Sequence, residues 1–497
     1  MTQVCEPSLS QSTRSFLTRP VLGHLMDGKV CASADGATMD VTDPATGAKI
    51  AEVARGGAAD ADAAVESARR AFDGGRWRGL PPFEKERVLR RFGELLRQHA
   101  SAIAELDVLD NGMPKVFADH MVGMCEEIVT YYAGWPSKLD GVVHPAADNL
   151  HVYSAREPIG VCVGIIPWNG PAGAFMWKMA PAIACGNSIV IKPAEQTPLS
   201  ALLLAELALE AGIPPGVVNV VQGTGADVGA RLVQHPDVDA VVFTGSTATG
   251  RRIQAMASDP LKPVHLELGG KSANIVFGDA KLTDAAAGAV ATAWGNSGQV
   301  CLAGTRLLVE RRIHDEFVQK LIEYTKPMKL GSGFDPSVTI GPLVSDVQLR
   351  RVMDYIDIGR DEGAEIAYGG NNVGEAGYFV EPTILTNVSN EMRVAQEEIF
   401  GPVLSVIPFD SDEQAYAIAN DTQYGLAAGI WTNDVSRTHR GARALRAGTV
   451  WVNTYGVLSS NVPFAARKQS GHGTELGTGS IETFTQTKSV YVGLGNS

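Results

Sequence analysis

The stretch Ala240-Val-Val-Phe-Thr-Gly-Ser-Thr-Ala-Thr-Gly250 decides the fold, because it joins a short apolar run to a helical segment through a glycine turn. The same order of apolar run, turn and helical segment recurs throughout residues 158–267. The predicted buried strands cover residues 160–166, 188–191, 217–221, 240–243 and 264–266, and the predicted helices cover residues 172–184, 198–211, 226–234 and 247–256. This alternation predicts an α/β fold in which a doubly wound parallel sheet carries helices on both faces.

A second series of strands and helices follows residue 267. The predicted strands cover residues 273–277, 306–309, 378–385, 403–408, 427–431 and 448–452, and the predicted helices cover residues 284–297 and 312–325. This series indicates a second α/β domain, as expected for 497 residues, which is more than one hydrophobic core usually organises. Ligands bind to parallel sheets beyond the carboxyl ends of the strands.

Two glycine patterns are candidates for binding phosphate groups. Gly223-Thr-Gly-Ala-Asp-Val-Gly229 and Gly245-Ser-Thr-Ala-Thr-Gly250 each follow a predicted strand and open a predicted helix. The free amides and the dipole at the start of a helix favour a pyrophosphate. Glycine at such turns is also common for backbone geometry alone, so the residues by themselves do not choose between the two patterns.

The segment Trp294-Gly-Asn-Ser-Gly-Gln-Val-Cys-Leu-Ala-Gly-Thr-Arg306 places a lone cysteine, Cys301, among small residues. Free cysteine is among the most buried residue types, so a structural thiol is one interpretation. A carboxylate upstream, Glu267 in His265-Leu-Glu-Leu-Gly-Gly-Lys271, favours another. A thiol nucleophile together with a carboxylate that can activate water is typical of covalent acyl chemistry.

Composition narrows the classes of partner. The apolar share of 45% and the charged share of 20% are typical of a globular protein. A net charge of −13 argues against nucleic acid or an anionic membrane surface as a partner. The six cysteines form no Cys-x-x-Cys pair, so a reduced, cytoplasmic chain without a metal site is expected. Neither a signal peptide nor a transmembrane stretch is predicted.

Many further motifs occur in an order that resembles the aldehyde dehydrogenase superfamily, from Asp43 to the C-terminus. These motifs are Asp43-Pro-Ala-Thr-Gly47, Pro167-Trp-Asn169, Lys192-Pro-Ala-Glu195, Phe243-Thr-Gly-Ser246, Glu267-Leu-Gly-Gly270, Gly298-Gln-Val-Cys301, Glu398-Ile-Phe-Gly-Pro402, Gly448-Thr-Val-Trp-Val-Asn453 and Pro463-Phe464. The resemblance implies a homo-oligomer with a Rossmann-like parallel-sheet cofactor domain, a second α/β catalytic domain and a small β oligomerisation extension. The expected boundaries are a flexible N-terminus at 1–18, an NAD-binding domain at 19–136 and 157–267, a catalytic domain at 268–470, and oligomerisation segments at 137–156 and 480–497.

The resemblance also implies the chemistry of the non-acylating enzymes of the superfamily. Cys301 matches the nucleophile, which attacks an aldehyde to form a thiohemiacetal and then a thioester. Asn169 matches the donor to the oxyanion, together with the backbone amide of Cys301. Glu267 matches the base that activates the hydrolytic water. Lys178 and Glu475 fall where some members have a proton-relay pair.

The same matching places the cofactor. Lys192 and Glu195 match contacts to the adenine ribose, where a carboxylate bonds both hydroxyls of NAD and repels the extra phosphate of NADP. NAD is therefore expected, although some members use both cofactors. The resemblance also selects the second glycine pattern for the pyrophosphate. The expected cofactor-binding residues are Ile166, Trp168, Lys192, Glu195, Gly225, Gly245, Ser246, Glu398 and Phe400.

The expected substrate tunnel is wide and apolar. Many members that oxidise small aldehydes have aromatic residues where this chain has Gly170, Gly295 and Leu458. This difference favours a bulky or aromatic neutral aldehyde. The expected tunnel residues are Gly170, Ala174, Trp177, Gly295, Val300, Leu302, Leu458 and Phe464. The chain departs from the common family pattern at Ala465-Ala466, usually two glycines, and at Thr474, usually an arginine.

Three other functions are alternatives to a non-acylating aldehyde dehydrogenase. In a coenzyme A-acylating dehydrogenase a second thiol would resolve the thioester, but members of that type generally lack the glutamate that Glu267 matches. A non-catalytic NAD-binding protein would keep the fold without the reaction. A cysteine hydrolase that needs no cofactor would require a histidine beside the thiol, and no histidine lies between His265 and His314.

Overall fold

The computed structural model describes residues 9–259 and 261–495. The first sheet contains the five strands predicted between residues 158 and 267, and three more at its edges. Neighbouring strands are, in order, Lys29–Cys31, His24–Met26, Val218–Val220, Ser188–Lys192, Val161–Ile165, Ala240–Thr244, Val264–Glu267 and Gly471–His472. The five predicted strands are parallel to one another, and the edge strands are antiparallel to their neighbours.

Alternate residues of the central strands face two different hydrophobic cores. Val161 and Val163 pack with the helix Ala58–Asp73, whereas Cys162, between them, packs with the core that includes the helix Pro171–Ala184. Because successive side chains of a strand point to opposite faces, helices cover both faces of this sheet. The predicted doubly wound α/β fold is therefore confirmed.

The second sheet has seven strands, six of which form the parallel series predicted beyond residue 267. Its neighbouring strands are, in order, Glu365–Tyr368, Thr383–Thr386, Val403–Phe409, Arg306–Glu310, Ala273–Val276, Ala427–Trp431 and Thr449–Val452. Only the pairing of Glu365–Tyr368 with Thr383–Thr386 is antiparallel. The strand predicted at 378–385 is wrong as one element, because it is divided into Phe379–Val380 and Thr383–Thr386.

A third sheet is antiparallel and joins distant parts of the chain. It consists of Val142–His144, Leu150–Pro158 and Thr485–Gly493, with the last strand paired along the whole of the second. Six short strands form three further antiparallel pairs. These pairs are Thr38–Thr42 with Lys49–Ala54, Asn372–Val373 with Phe379–Val380, and Phe464–Ala465 with Thr474–Glu475.

The helices follow the predicted positions closely in the first sheet and less closely elsewhere. The α-helices are Gln11–Leu17, Ala58–Asp73, Pro82–Gln98, Ala100–Asn111, Lys115–Ala133, Pro171–Ala184, Leu199–Glu210, Ala230–Gln234, Thr247–Met256, Leu282–Trp294, His314–Thr325, Asp346–Asp361, Arg393–Gln396, Asp412–Asn420, Val435–Ala444 and Gly479–Thr483. Short 3₁₀ turns cover Pro136–Lys138, Gly295–Gly298 and Arg311–Ile313, and a π turn covers Gly225–Gly229. No helix of residues 9–259 and 261–495 is long and apolar enough to cross a membrane.

Three expectations need correction. The N-terminus is not flexible throughout 1–18, since Gln11–Leu17 is a helix that buries Phe16; residues 1–8 lie outside the described residues. The helix predicted at 284–297 ends at Trp294, because Asn296 and Ser297 have left-handed backbones with φ of 45° and 57°. Residues 481–483, expected to be extended, belong to the helix Gly479–Thr483. Asn496 and Ser497 of the predicted segment 480–497 are not described.

Candidate active site

Three cavities follow one another beside Cys301. A long cavity of about 730 Å³ is lined by residues that include Lys192, Glu195 and Gly225. A middle cavity of about 410 Å³ shares Gly245 and Ser246 with it and reaches Cys301. An apolar cavity of about 310 Å³ begins at Cys301 on the other side. Cys301 and Asn169 line both the middle cavity and the apolar cavity, so they stand where the two meet.

The first sheet positions most of the site, because its parallel strands end at one edge. Trp168 and Asn169 follow the strand Val161–Ile165, and Lys192 ends the strand Ser188–Lys192. Gly245 follows Ala240–Thr244, and Glu267 is the last residue of Val264–Glu267. The carboxyl ends of parallel strands form the usual ligand edge of an α/β sheet, and this edge borders the three cavities.

The loop that carries Cys301 is held in a fixed shape by long-range hydrogen bonds. The side chain of Asn296 donates to the backbone oxygen of Asn169 at 2.8 Å, and Ser297 Oγ donates to the oxygen of Gly341 at 2.7 Å. Gly298 has φ of +72°, and an added Cβ would lie 2.2 Å from the oxygen of Gly401, so only glycine fits there. This loop therefore presents Cys301 in one position.

Asn169 is bound to the same loop. Its Nδ2 donates to the backbone oxygen of Gln299 at 2.9 Å. An amide nitrogen carries two hydrogens, so one is left to donate to an oxygen beside Cys301. The structure thus brings together the thiol and the amide that the sequence predicted as neighbours.

The thiol of Cys301 is half-buried and held in its neutral form. Burial and, in the same direction, the neighbouring Glu267 and Glu398 together raise the pKa of Cys301 to about 12. A thiol activated by a histidine or a helix terminus would have a lowered pKa. Attack by Cys301 therefore requires that its proton be removed or that a positive charge come close to the sulfur.

Glu267 lies behind the thiol and lines neither of the two cavities that meet at Cys301. It lines a small cavity of about 10 Å³, called here the rear cavity, together with His265, His472, Glu475 and Thr483. Burial raises the pKa of Glu267 well above its usual value, and the nearby charge of Glu475 adds to the increase. Both effects favour the protonated form of Glu267.

Lys178 and Glu475 form a buried ion pair beside Glu267. Lys178 Nζ also donates to Thr244 Oγ1 at 2.7 Å, and both side chains of the pair are almost fully buried. The buried cation Lys178 compensates the negative charge of Glu475. Glu267 has no cation of its own within hydrogen-bond distance. The pair predicted from the sequence is thus present as a contact.

All nine residues expected to bind the cofactor line the long or the middle cavity. Ile166, Trp168, Lys192, Glu195, Gly225, Gly245 and Ser246 line the long cavity, and Glu398 and Phe400 line the middle one. Ser246 caps the helix Thr247–Met256, which leaves the first amides of that helix facing the cavity edge. The pattern Gly223–Gly229 contributes Gly225 and Gly229 to the same cavity, so the two glycine patterns lie along one surface.

Glu195 and Glu398 are held by backbone amides. Glu195 accepts from Gly225 N, and its side chain is 35% exposed at 3.5 Å from Lys192 Nζ. Glu398 accepts from Gly270 N at 2.9 Å, and burial raises the pKa of Glu398 to about 7. Phe400 packs edge-on against Trp168 with ring centres 5.1 Å apart. These contacts place two carboxylates at the two ends of the long and middle cavities.

Seven of the eight expected tunnel residues line the apolar cavity. They are Gly170, Ala174, Trp177, Gly295, Val300, Leu302 and Leu458. Phe464 does not line it, and that expectation is wrong: Phe464 is buried behind Trp177, with ring centres 5.8 Å apart. An added Cβ at Gly170 would touch only Met121 at 3.7 Å, so this position has room for a side chain.

One wall of the apolar cavity was not predicted from the sequence. It is formed by Phe117, His120, Met121 and Met124 of the helix Lys115–Ala133. The spacing of three, four and seven residues shows that they share a helix face, but nothing in the sequence indicates what that face contacts.

The departures from the family pattern meet in space, because Ala465 pairs with Thr474 in a short antiparallel ladder.

These features define a class of protein, a two-sheet α/β enzyme in which a thiol separates a dinucleotide-sized cavity from an apolar one. Residues 31–490 match the aldehyde dehydrogenase family, and the chain belongs to that family. An aldehyde dehydrogenase of Aspergillus niger is 45% identical over 96% of both chains. The predicted family and the predicted enzyme class are confirmed.

Solved structures agree with this assignment. The NAD⁺ complex of an aldehyde dehydrogenase from Bacillus cereus is similar, with a TM-score of 0.97, 42% identity, and coverage of 99% of this chain and 100% of the other. The indole-3-acetaldehyde dehydrogenase AldA of P. syringae, solved with NAD⁺ and IAA, has a TM-score of 0.94 and 44% identity, with coverage of 95% and 97%.

Proposed function

We propose that this protein oxidises a bulky or aromatic neutral aldehyde to the carboxylic acid, with NAD, through a thioester on Cys301. The observation that carries the proposal is the position of Cys301, which lines both the middle cavity and the apolar cavity. An aldehyde in the apolar cavity and a cofactor in the long and middle cavities would meet at this sulfur. The coenzyme A-acylating and non-catalytic alternatives are disfavoured by the presence of Cys301, Asn169 and Glu267 together.

NAD is the cofactor, and the residues present fit it. The long cavity offers a carboxylate at Glu195 for ribose hydroxyls and a capped helix start at Ser246 for the pyrophosphate, and the middle cavity adds Glu398. Gly225 and Gly229 leave room next to Glu195 and Lys192, which a Cβ at either position would begin to fill. Bound NAD supplies the acceptor for the hydride that leaves the aldehyde carbon.

Cys301 and Asn169 carry out the first step. Cys301 loses its proton to water in the adjoining cavity, its Sγ attacks the carbonyl carbon, and the carbonyl oxygen takes the negative charge of a thiohemiacetal. The free hydrogen of Asn169 Nδ2 and the backbone amide of Cys301 donate to that oxygen. One donor of this kind stabilises the transition state by about 3 kcal/mol. Because Asn169 is fixed to Gln299, it need not reorganise as the charge develops.

Glu267 carries out the second step, in which water releases the acid. This role requires Glu267 to turn from the rear cavity toward Cys301, since in its present position it lines neither adjoining cavity. It also requires the carboxylate form, which the raised pKa of Glu267 restricts to higher pH. Lys178 and Glu475 are the charged neighbours of the carboxyl group in its present position.

The preference for NAD over NADP is assigned to Glu195. Replacing Glu195 by glutamine is expected to reduce the ratio of kcat/KM for NAD to that for NADP about tenfold, or about 1.4 kcal/mol, because the carboxylate no longer repels a 2′-phosphate. The measurement is steady-state NADH and NADPH formation with one aldehyde. The exposed Glu210→Gln is the matched control. A ratio unchanged in Glu195→Gln contradicts the assignment.

The lining of the apolar cavity supports the substrate class. Its side chains include no lysine and no arginine, and its one carboxylate, Glu475, is already paired with Lys178. A substrate with a second carboxylate would find no lysine or arginine to pair with there, whereas an apolar ring or chain would bury its surface. The bound IAA in AldA of P. syringae, a relative, supports an aromatic body of this kind.

The experiment that tests the substrate class compares benzaldehyde, octanal and propanal. The wild type is expected to form NADH with all three and to prefer the two larger aldehydes. Gly170→Phe is expected to lower kcat/KM for benzaldehyde and octanal about tenfold and to leave propanal within twofold, because the ring fills part of the apolar cavity. Gly170→Ala serves as the control. Equal losses for all three aldehydes would contradict the proposed pocket.

The remaining expectations concern the roles of the domains, the oligomer and the location of the protein. We assign cofactor binding to residues 19–136 and 157–267 and catalysis to 268–470, in line with the two sheets. The antiparallel sheet of Val142–His144, Leu150–Pro158 and Thr485–Gly493 exposes Val143 and Tyr491, which supports a role of the segments 137–156 and 480–497 in a dimer or tetramer. A cytoplasmic location stays a prediction.

A further inference from the structure

The rear cavity behind Glu267 has the size and the lining of a site for one water molecule. Its volume of about 10 Å³ is close to the smallest space that holds one water. Two buried carboxyl oxygens on its lining residues, Glu267 Oε1 and Glu475 Oε2, have no hydrogen-bond partner. A buried polar atom without a partner is costly, and a water between these oxygens would satisfy both.

The geometry of the sheet places His265 beside these carboxyl groups. His265 and Glu267 are two residues apart on the strand Val264–Glu267, so they point to the same face. In the neighbouring strand, Thr244 is opposite Glu267 and is bonded to Lys178. Thus Lys178, Glu267 and Glu475 occupy one end of this face, and His265 lies next to them on the side of the rear cavity.

On its other side, His265 reaches the surface. The residue is half-buried, its Nδ1 lies 3.4 Å from Thr483 Oγ1, and it packs against Gly473, where an added Cβ would be 2.8 Å from Nδ1. The exposed His472 pairs with Leu266, the residue between His265 and Glu267. His265 therefore lines the rear cavity together with the buried carboxyl groups and with the exposed His472.

His265 is neutral at physiological pH. Burial lowers the pKa of His265 to about 4, and the nearby charges of His472 and Lys178 lower it in the same direction. A neutral imidazole has one nitrogen that donates and one that accepts. It can therefore take a proton at one nitrogen and release a proton from the other.

We propose that His265 and the rear cavity form the exit by which the proton taken up by Glu267 reaches solvent. The proposal rests on the function proposed above, in which Glu267 activates the hydrolytic water. His265 touches neither substrate nor cofactor, so it acts through Glu267 as a proton-transfer residue. Thr474 and Gly473 border the same cavity, so the departure from the family pattern at Thr474 contributes to this exit.

The transfer balances without any further reactant. As water attacks the thioester, a carbon–oxygen bond forms, the carbon–sulfur bond breaks, and Cys301 leaves as the thiolate. Glu267 takes one proton from the water. Glu267 then turns back to the rear cavity, where the proton passes through the cavity water to one ring nitrogen of His265 as the other ring nitrogen gives a proton to solvent beside His472, so that no imidazolium has to accumulate.

The test measures deacylation directly, in the full-length enzyme without NAD. Cys301 is acylated with p-nitrophenyl acetate, excess ester is removed, and the acetyl adduct is followed by intact mass spectrometry. His265→Leu is expected to acylate at the wild-type rate and to deacylate about tenfold more slowly, a smaller loss than the 10²–10⁴ that is typical of a group that transfers a proton to the reacting atoms. In His265→Ala, added imidazole is expected to restore deacylation.

Two controls separate proton transfer from a structural effect. His265→Asn keeps a hydrogen-bonding side chain but cannot take up a proton, so it is expected to deacylate as slowly as His265→Leu. The exposed His439→Leu is expected to match the wild type. Deacylation of His265→Leu within twofold of the wild type, or full activity of His265→Asn, would overturn the proposal. A wild type that forms no adduct on Cys301 would overturn the proposed function instead.

Discussion

Cys301→Ala is expected to form no NADH with any aldehyde, a loss on the order of 10⁴-fold or more. The reason is that the thiol is the nucleophile placed where the middle and the apolar cavities meet, and alanine offers no group that can form the thioester. Removal of a covalent nucleophile leaves only the contribution of the oxyanion donor and of binding. The measurement is NADH formation by the purified variant with benzaldehyde and octanal.

The control for this loss is Cys31→Ala. Cys31 is also half-buried but lies on an edge strand of the first sheet, far along the sheet from the site. It is expected to keep wild-type activity, and calorimetry is expected to show that NAD still binds to Cys301→Ala. Substantial aldehyde oxidation by Cys301→Ala would contradict the mechanism, whatever the substrate.

Glu267→Gln is expected to stop at the acyl-enzyme. Attack by Cys301 and loss of hydride do not need the carboxylate, so a first turnover still yields NADH. Hydrolysis is expected to be slower by about 10²–10⁴, since the amide cannot take a proton from water. The acyl group should then accumulate as a mass increase on Cys301. Absence of the adduct, with turnover retained, would remove the assignment to Glu267.

The pH dependence of deacylation gives a second readout of the same substitution. The raised pKa of Glu267 means that its active carboxylate form is populated only above that pKa and is lost as the pH falls through it. The wild-type rate of deacylation should therefore rise as the pH increases through this raised pKa, and Glu267→Gln should lose this rise. Glu105→Gln, which changes a buried carboxyl group on a distant helix, should keep it.

The sequence predicts the parallel strands well, because short apolar runs bounded by glycine turns fit a strand that is buried on both faces. The helix end at Trp294 was missed for a tertiary reason. Asn296 leaves the helical conformation and binds the backbone of Asn169, more than a hundred residues away. Family motifs supplied the site residues, which composition and spacing alone left open.

The sequence does not predict how far a side chain lies from a cavity or which residues face it from other elements. Phe464 follows the family motif, but only the packing against Trp177 reveals that it lies one layer behind the cavity. The methionines of the helix Lys115–Ala133 belong to a helix face whose neighbour the sequence does not specify. The rear cavity depends on His265 and Glu475, which are brought together by the pairing of strand Gly471–His472 with Val264–Glu267.

Two cavities meet at the single sulfur of Cys301, and this arrangement affects the order in which ligands bind and leave. Because the long cavity and the apolar cavity approach Cys301 from different sides, each ligand enters and departs without passing the other. An inhibitor that fills the apolar side should therefore be non-competitive with respect to NAD, and one shaped like adenosine diphosphate should be non-competitive with respect to the aldehyde. The acid product can likewise depart while the reduced cofactor is still bound.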